Sequence, residues 1–278
     1  MRILIVLALL IVACPARAED SPSDDAFMKS CLRLEDQGVD QVALETCTTA
    51  LKFRNALKSG DKLGLAKLFS FPISREYPLA EINTPDEFVE NWEDYFEAGA
   101  ILELLSDNDN FLYSGGCRYS TECVQVGDLD IRIDSGIITV GTPSTPKYIE
   151  RLEAAKKNEM AELHPVARGY RSVGMICDTP SKHIRIQDHH PEGYKYFAWK
   201  KGAALSSEPE IFLTGIITYE SGRWARYTYI FKNEVYSYEL GPVWQIGCMC
   251  EDDNFGNPYL TVFKSGKEIS KQSCELSR

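Results

Sequence analysis

Between Asp24 and Gly60 apolar positions recur every three or four residues, the period of a helix with one buried face. DAFMKSCLRLED predicts a first helix and Gly38 a turn. VDQVALETCTTALKFRNALKSG predicts a second helix, with Val42, Leu44, Cys47, Leu51 and Leu57 as apolar positions and Gly60 at its C-terminal end. A short helix follows from Lys62 to Phe69, and Phe71-Pro72-Ile73 opens an extended stretch. Thr84-Pro85-Asp86-Glu87 has the chemistry of a helix start: a hydroxyl cap, proline in the first turn, and acids facing the positive helix end. The helix it opens, EFVENWEDYFEAGAILELL, sets Phe88, Trp92, Tyr95 and Phe96 on one face, which reads as core.

The period then falls to two. Val124 to Val140 alternates through Leu129, Ile131 and Ile133, turns at Asp134-Ser135-Gly136 and continues through Ile137 and Ile138. Residues 142–165 start Pro/Ser/Thr-rich and continue as a charged stretch, read as a linker helix. From Val166 onward strands dominate: KHIRIQDH, GYKYFAWKK, EIFLTGIITYE, RWARYTYIFK, EVYSYEL, YLTVFK and KEISKQSC, with turns at Ser221-Gly222, Lys232-Asn233 and Ser265-Gly266. The expected class is α+β. A helix-plus-curved-sheet domain covers residues 19–141, the linker helix 142–165, and an antiparallel β-barrel or sandwich 166–278.

One strand poses its own question. In GYKYFAWKKGAAL, residues 193–205, Tyr194, Tyr196 and Ala198 face one side and Lys195, Phe197 and Trp199 the other, so neither side is polar. One reading fills a core with the rings while the lysines snorkel from it. The other makes Trp199, Lys200 and Lys201 the centre of a protein interface, where such rings concentrate. A second aromatic set, Trp224, Tyr227, Tyr229, Phe231, Tyr236 and Tyr238, alternates on neighbouring strands, where cross-strand packing explains most of it and carbohydrate stacking is the alternative.

The first residues change the compartment. Arg2, the apolar run Ile3 to Ala13 and the small-x-small site Ala16-Arg17-Ala18 form an export signal over residues 1–18, too short to span a bilayer. Ile11-Val12-Ala13-Cys14 offers an alternative, a lipobox with a lipid anchor on Cys14. Removal through Ala18 leaves Cys31, Cys47, Cys117, Cys123, Cys177, Cys248, Cys250 and Cys274, an even set that reads first as disulfides. Cys31 and Cys47 would staple the helical hairpin and Cys117 and Cys123 close a small loop. The last four would form two bridges of open pairing, with Cys248-x-Cys250 as an alternative redox or copper motif. No usable Asn-x-Ser/Thr sequon occurs, which favours a bacterial source. The expected location is periplasmic or secreted.

The net charge is −11 and is unevenly placed. Residues 19–165 carry 14 Lys+Arg against 28 Asp+Glu, and residues 166–278 carry 14 against 13. That field disfavours nucleic acid and anionic lipid and favours a basic protein or a cationic ligand. Solubility alone is the plainer explanation.

Catalytic patterns are weak. His183, His189 and His190 lie beside Asp188, but His189 and His190 would point to opposite faces of a strand, so a solvated turn is expected and no metal. Asp128, Asp130 and Asp134 share one side of a strand and turn with no histidine before His164 to serve as acid/base partner. Asp107-Asn108-Asp109-Asn110 begins like a calcium loop but puts Phe111 at a ligand position. There is no nucleophile elbow, phosphate loop or dinucleotide fingerprint, and no cofactor is implied.

The order NALKSGDKLGLAKLFSFPI, EFVENWEDYF, GDLDIRIDSGIITV resembles the NTF2-like (cystatin-like α+β) domains over roughly residues 50–141. The resemblance implies a cone of bent strands, and a pocket in it would be built from Asp128 or Asp130 with Tyr95 and Arg132. The C-terminal strands, ending in VFKSGKEISKQSC, are similar to the periplasmic and membrane-bound inhibitors of c-type lysozyme. That resemblance implies a cleft-reaching contact made here by Gly193, Tyr194, Trp199, Lys201 and Gly202, although Glu192 stands where that family has a serine. The expectation is an exported binding protein, an inhibitor of a lysozyme-like or other basic protein. A small-ligand pocket or enzyme, a toxin immunity protein and a structural envelope protein are the alternatives.

Overall fold

The computed structural model describes residues 23–32, 41–107, 110–115, 122–126, 130–134, 136–220, 226–244 and 257–277. The export signal with Cys14, the Gly38 turn, Cys117, Asp128, the Ser221-Gly222 turn, Trp224, Cys248 and Cys250 lie outside them, as does the side chain of Cys123.

The N-terminal part is a helical layer on one face of a small sheet. Helix α1 (Asp24–Leu32) and α2 (Gln41–Ser59) form the expected hairpin, joined by Cys31–Cys47. The buried positions of α2 include Cys47, Ala50, Phe53 and Leu57, three and four residues apart. Of the expected apolar positions Cys47 and Leu57 are buried, Leu51 is half-buried, and Val42 and Leu44 are exposed because the buried face runs through Ala43 and Thr46 instead. That face lies on a meander ordered β1-β2-β3-β4: Phe111–Gly115, Glu122–Val126, Ile131–Asp134 and Ile137–Val140. Phe53 sits at the centre, with ring centroids 6.1 Å from Phe69, 6.3 Å from Phe96 and 6.4 Å from Phe111.

The single long helix expected from Glu87 to Leu105 is instead three. After α3 (Lys62–Ala66) come α4 (Pro85–Glu90), α5 (Trp92–Tyr95) and α6 (Ala98–Ser106). The start is as expected, with the Thr84 hydroxyl accepting from Glu87 N and the Glu87 carboxylate accepting from Asn83 N. The breaks come at Asn91, whose side chain donates to Glu87 O, and at Phe96, which is extended at φ −131°. Extension there lets Phe96 stack on Trp92 with centroids 4.4 Å apart, so four aromatic residues reach one core that a straight helix would spread along its length.

The C-terminal part is a nearly closed antiparallel barrel-like sheet. Strands β5 (Ser172–Asp178), β6 (Lys182–Asp188), β7 (Tyr194–Lys200), β8 (Ile211–Glu220), β9 (Arg226–Asn233), β10 (Tyr236–Trp244), β11 (Tyr259–Lys264) and β12 (Lys267–Ser273) each pair with their sequence neighbours. The β9–β10 turn falls at Glu234-Val235 rather than Lys232-Asn233, because Asn233 pairs with Tyr236 and leaves a two-residue loop. The β11–β12 turn is at Ser265-Gly266 as expected, both residues at positive φ. Closure comes from the C-terminus. The chain passes Cys274 and its last strand, β13 (Glu275–Leu276), pairs with β5 across Asp178 and Cys177. Cys177–Cys274 fixes that crossing, and both cysteines are fully buried. Met175, Ile184, Ile186, Tyr196, Ala198, Tyr229, Phe231, Leu240 and Leu260 fill the interior.

Helix α7 (Pro146–Glu162) and the segment after it run over the outside of this sheet. Leu163, Ala167 and Tyr170 cover Phe197 and Trp199 and make a third core between strap and barrel.

Candidate functional site

Strand β7 is buried on both faces. Tyr196 and Ala198 point into the barrel, and Phe197 and Trp199 point outward beneath the strap. Trp199 is 1% exposed and its Nε1 donates to Ser207 O at 2.9 Å. This corrects the expectation of an interface centred on Trp199, because the ring is already covered by Leu163, Ala167 and Leu205. Of the other expected contact residues, Tyr194 is half-buried at the start of the strand, and Lys200, Lys201 and Gly202 are exposed at and after its end. At about 3.3 Å per residue Tyr194 and Lys200 stand roughly 20 Å apart, so they do not form one patch.

The expected pocket is likewise not assembled. Tyr95 is 4% exposed within the helical core. Ile131 and Ile133 face that core from β3, so Arg132 between them faces the other way, pairing with Asp130 at 3.0 Å. Asp128 is outside the described residues.

Two charged centres not foreseen in the sequence tie the parts together. Asp94 is fully buried, and its Oδ2 takes Arg75 at 2.8 Å and Arg151 of α7 at 3.1 Å. Burial pushes the Asp94 carboxyl up and the guanidinium groups of Arg151 and Arg75 pull it back. Asn91 Oδ1 accepts from both arginines as well. On the barrel side, Arg185 of β6 is fully buried and pairs with Glu159 of α7 at 2.7 Å. Its guanidinium lies over the rings of Tyr77 and Tyr170, 5.2 and 5.0 Å from their centroids. Both hydroxyls donate to Glu159, at 3.2 and 2.5 Å. What the sequence shows at these positions is Asp94 among the aromatic residues Trp92, Tyr95 and Phe96, and Arg185 between Ile184 and Ile186.

The histidines separate. His183 Nδ1 meets Asp178 Oδ1 at 2.9 Å, and His189 Nε2 meets Gln187 Oε1 at 3.0 Å. His190 is exposed, but His189 is 7% exposed rather than solvated, and burial, aided by Lys195, lowers its pKa. No group of three or more metal-ligating side chains comes together among the described residues.

The helical layer presents an exposed acidic face. Residues 76–117 contain eleven Asp or Glu and no Lys, Arg or His. Asp86, Glu90, Glu93, Glu97 and Glu103 on and between α4, α5 and α6 are exposed, and Leu102 beside them is 73% exposed. Among the described residues there are also open clefts. One of about 490 Å³ lies between α2 and Gly136, and one of about 390 Å³ lies between α7 and Tyr170-Arg171. Among the described residues no helix is long and apolar enough to cross a membrane. Compared with protein-family models, with curated proteins and with solved structures, the chain matches none.

Proposed function

We propose that the protein is an exported, disulfide-stapled binding protein whose acidic helical layer takes a cationic protein partner. The observation that carries this is the run from residue 76 to 117, which has eleven acids and no Lys, Arg or His. Asp94 and Glu76 are paired by Arg75, Arg151 and Lys156 from outside it, while Asp86, Glu90, Glu93, Glu97 and Glu103 stand exposed along α4–α6 around Leu102. A field of one sign accelerates encounter with the opposite sign, and an exposed apolar side chain within it gives a contact that desolvates on docking. Two buried disulfides hold the parts in a form suited to an oxidising compartment. The inhibitor reading is kept with its contact moved: the acidic layer replaces Trp199 as the docking surface.

The test is binding of c-type lysozyme, a cationic probe, by the oxidised protein and by Asp86→Asn/Glu90→Gln/Glu93→Gln/Glu97→Gln. All four side chains are exposed, so the fold is unaffected. The variant is expected to bind at least about tenfold more weakly at low salt. Equal binding by both forms would refute the assignment.

A further inference from the structure

One end of the barrel gathers tyrosines. Asp188, Tyr194 and Gly215 are cross-strand neighbours on β6, β7 and β8, and β8 runs on to Tyr219, which pairs with Tyr227 of β9. The rings form a chain: Tyr194 is 5.2 Å from Tyr229, Tyr229 is 5.5 Å from Tyr227, and Tyr227 is 6.2 Å from Tyr219. Exposure grades along it. Tyr229 is 3% exposed, Tyr194 and Tyr227 are half-buried, and Tyr219 is 68% exposed. Tyr229 hydrogen-bonds the hydroxyl of Tyr227 and lies over Gly174, where a Cβ would come within 2.5 Å of its oxygen. The buried ring thus fixes the two half-buried ones, and glycine keeps the floor low. Asp188 and Arg171 lie close enough to Tyr194 to act on its hydroxyl electrostatically, in opposite senses.

We propose that this barrel end binds a neutral oligosaccharide. Preset aromatic faces match the C–H faces of a pyranose, and such rings lose little conformational freedom on contact. Phenol hydroxyls both donate and accept, a carboxylate accepts and a guanidinium donates, which together suit a ring of hydroxyl groups. Residues 166–278, with 14 Lys+Arg against 13 Asp+Glu, offer no basic field to hold an anionic glycan. A core role accounts for Tyr229 and Tyr196, but not for Tyr219, whose ring stands in solvent on the side that faces the barrel axis. The site is separate from the acidic helical layer and does not depend on it.

Calorimetric titration of the intact oxidised protein with a β-1,4-linked N-acetylglucosamine tetramer and with maltotetraose tests this, with a proline-rich decapeptide as the competing class. Binding of at least one saccharide is expected, weakened at least about tenfold by Tyr219→Ala and by Arg171→Gln, two exposed positions whose thermal midpoints should stay at the wild-type value. Tyr227→Phe, which keeps the ring, should weaken binding less than Tyr219→Ala. No heat from either saccharide, binding that survives Tyr219→Ala, or binding of the decapeptide alone would each overturn the proposal.

Discussion

Trp199 shows how a residue read correctly for type can be misplaced for role. Its strand was legible, but the cover over its outer face comes from Leu163 and Ala167, about thirty residues before β7, and from Leu205, which folds back over the ring after the strand has ended. A two-period pattern says which side chains share a face and nothing about what arrives to cover it. Trp199→Ala therefore removes a core ring, with an expected cost of about 3–5 kcal/mol. The Glu159–Arg185 pair was illegible for a similar reason, since its partners sit on α7 and β6. Arg185→Met alone leaves Glu159 without its cation and should cost about 3–5 kcal/mol. Combined with Glu159→Leu, the loss should fall short of the sum of the single losses by about 1–3 kcal/mol. Urea unfolding of the four proteins measures this; simple additivity would mean that the pair does not act as a unit.

At the level of elements, the strands from β6 to β12 were legible because each carries its own alternation and turn chemistry. Strand β5, SVGMICD, was not, since Gly174 interrupts its pattern and a register shift falls between Val173 and Met175. The α4–α6 breaks were hidden because no proline falls between Glu87 and Leu105, and what decides against one rod is the Asn91 side chain bonding Glu87 O and the packing of Phe96 on Trp92. The C-terminal strand is the element on which the barrel depends, since β13 holds β5 by two residue pairs. Cys177 and Cys274, 97 residues apart, were known only to belong to a set of four. A ring of that size constrains the unfolded chain by about 4.7 kcal/mol, against about 3 kcal/mol for the short ring at Cys31–Cys47. Cys177→Ala/Cys274→Ala should therefore lower the thermal midpoint more than Cys31→Ala/Cys47→Ala. The reverse order would show that the barrel closes without its bridge.

For the whole molecule, the α+β class and the change of period were plain in the sequence, while the joint between the parts was not. Helix α7 joins Asp94 on one side and Arg185 on the other, through Arg151 and Glu159. The barrel also sets an alkaline limit on the fold. Burial raises the pKa of Tyr194, Tyr196, Tyr227, Tyr229 and Tyr238 above the value near 10 of an unfolded chain. The folded state then holds protons that the unfolded state releases, so their contribution is complete below about pH 10 and is lost as pH rises beyond it. Ultraviolet titration should show the last phenols to ionise, the buried Tyr196 and Tyr229, doing so only with the loss of β circular dichroism; complete ionisation with the fold intact would contradict their burial.

Docking through the acidic layer would leave a kinetic mark that area burial does not. The most direct measurement is the association rate of the oxidised protein with c-type lysozyme, by stopped flow, at about 20 and about 200 mM salt. The rate should fall at least about tenfold over that range while dissociation changes little. An association rate indifferent to salt, or no association at either ionic strength, would contradict it.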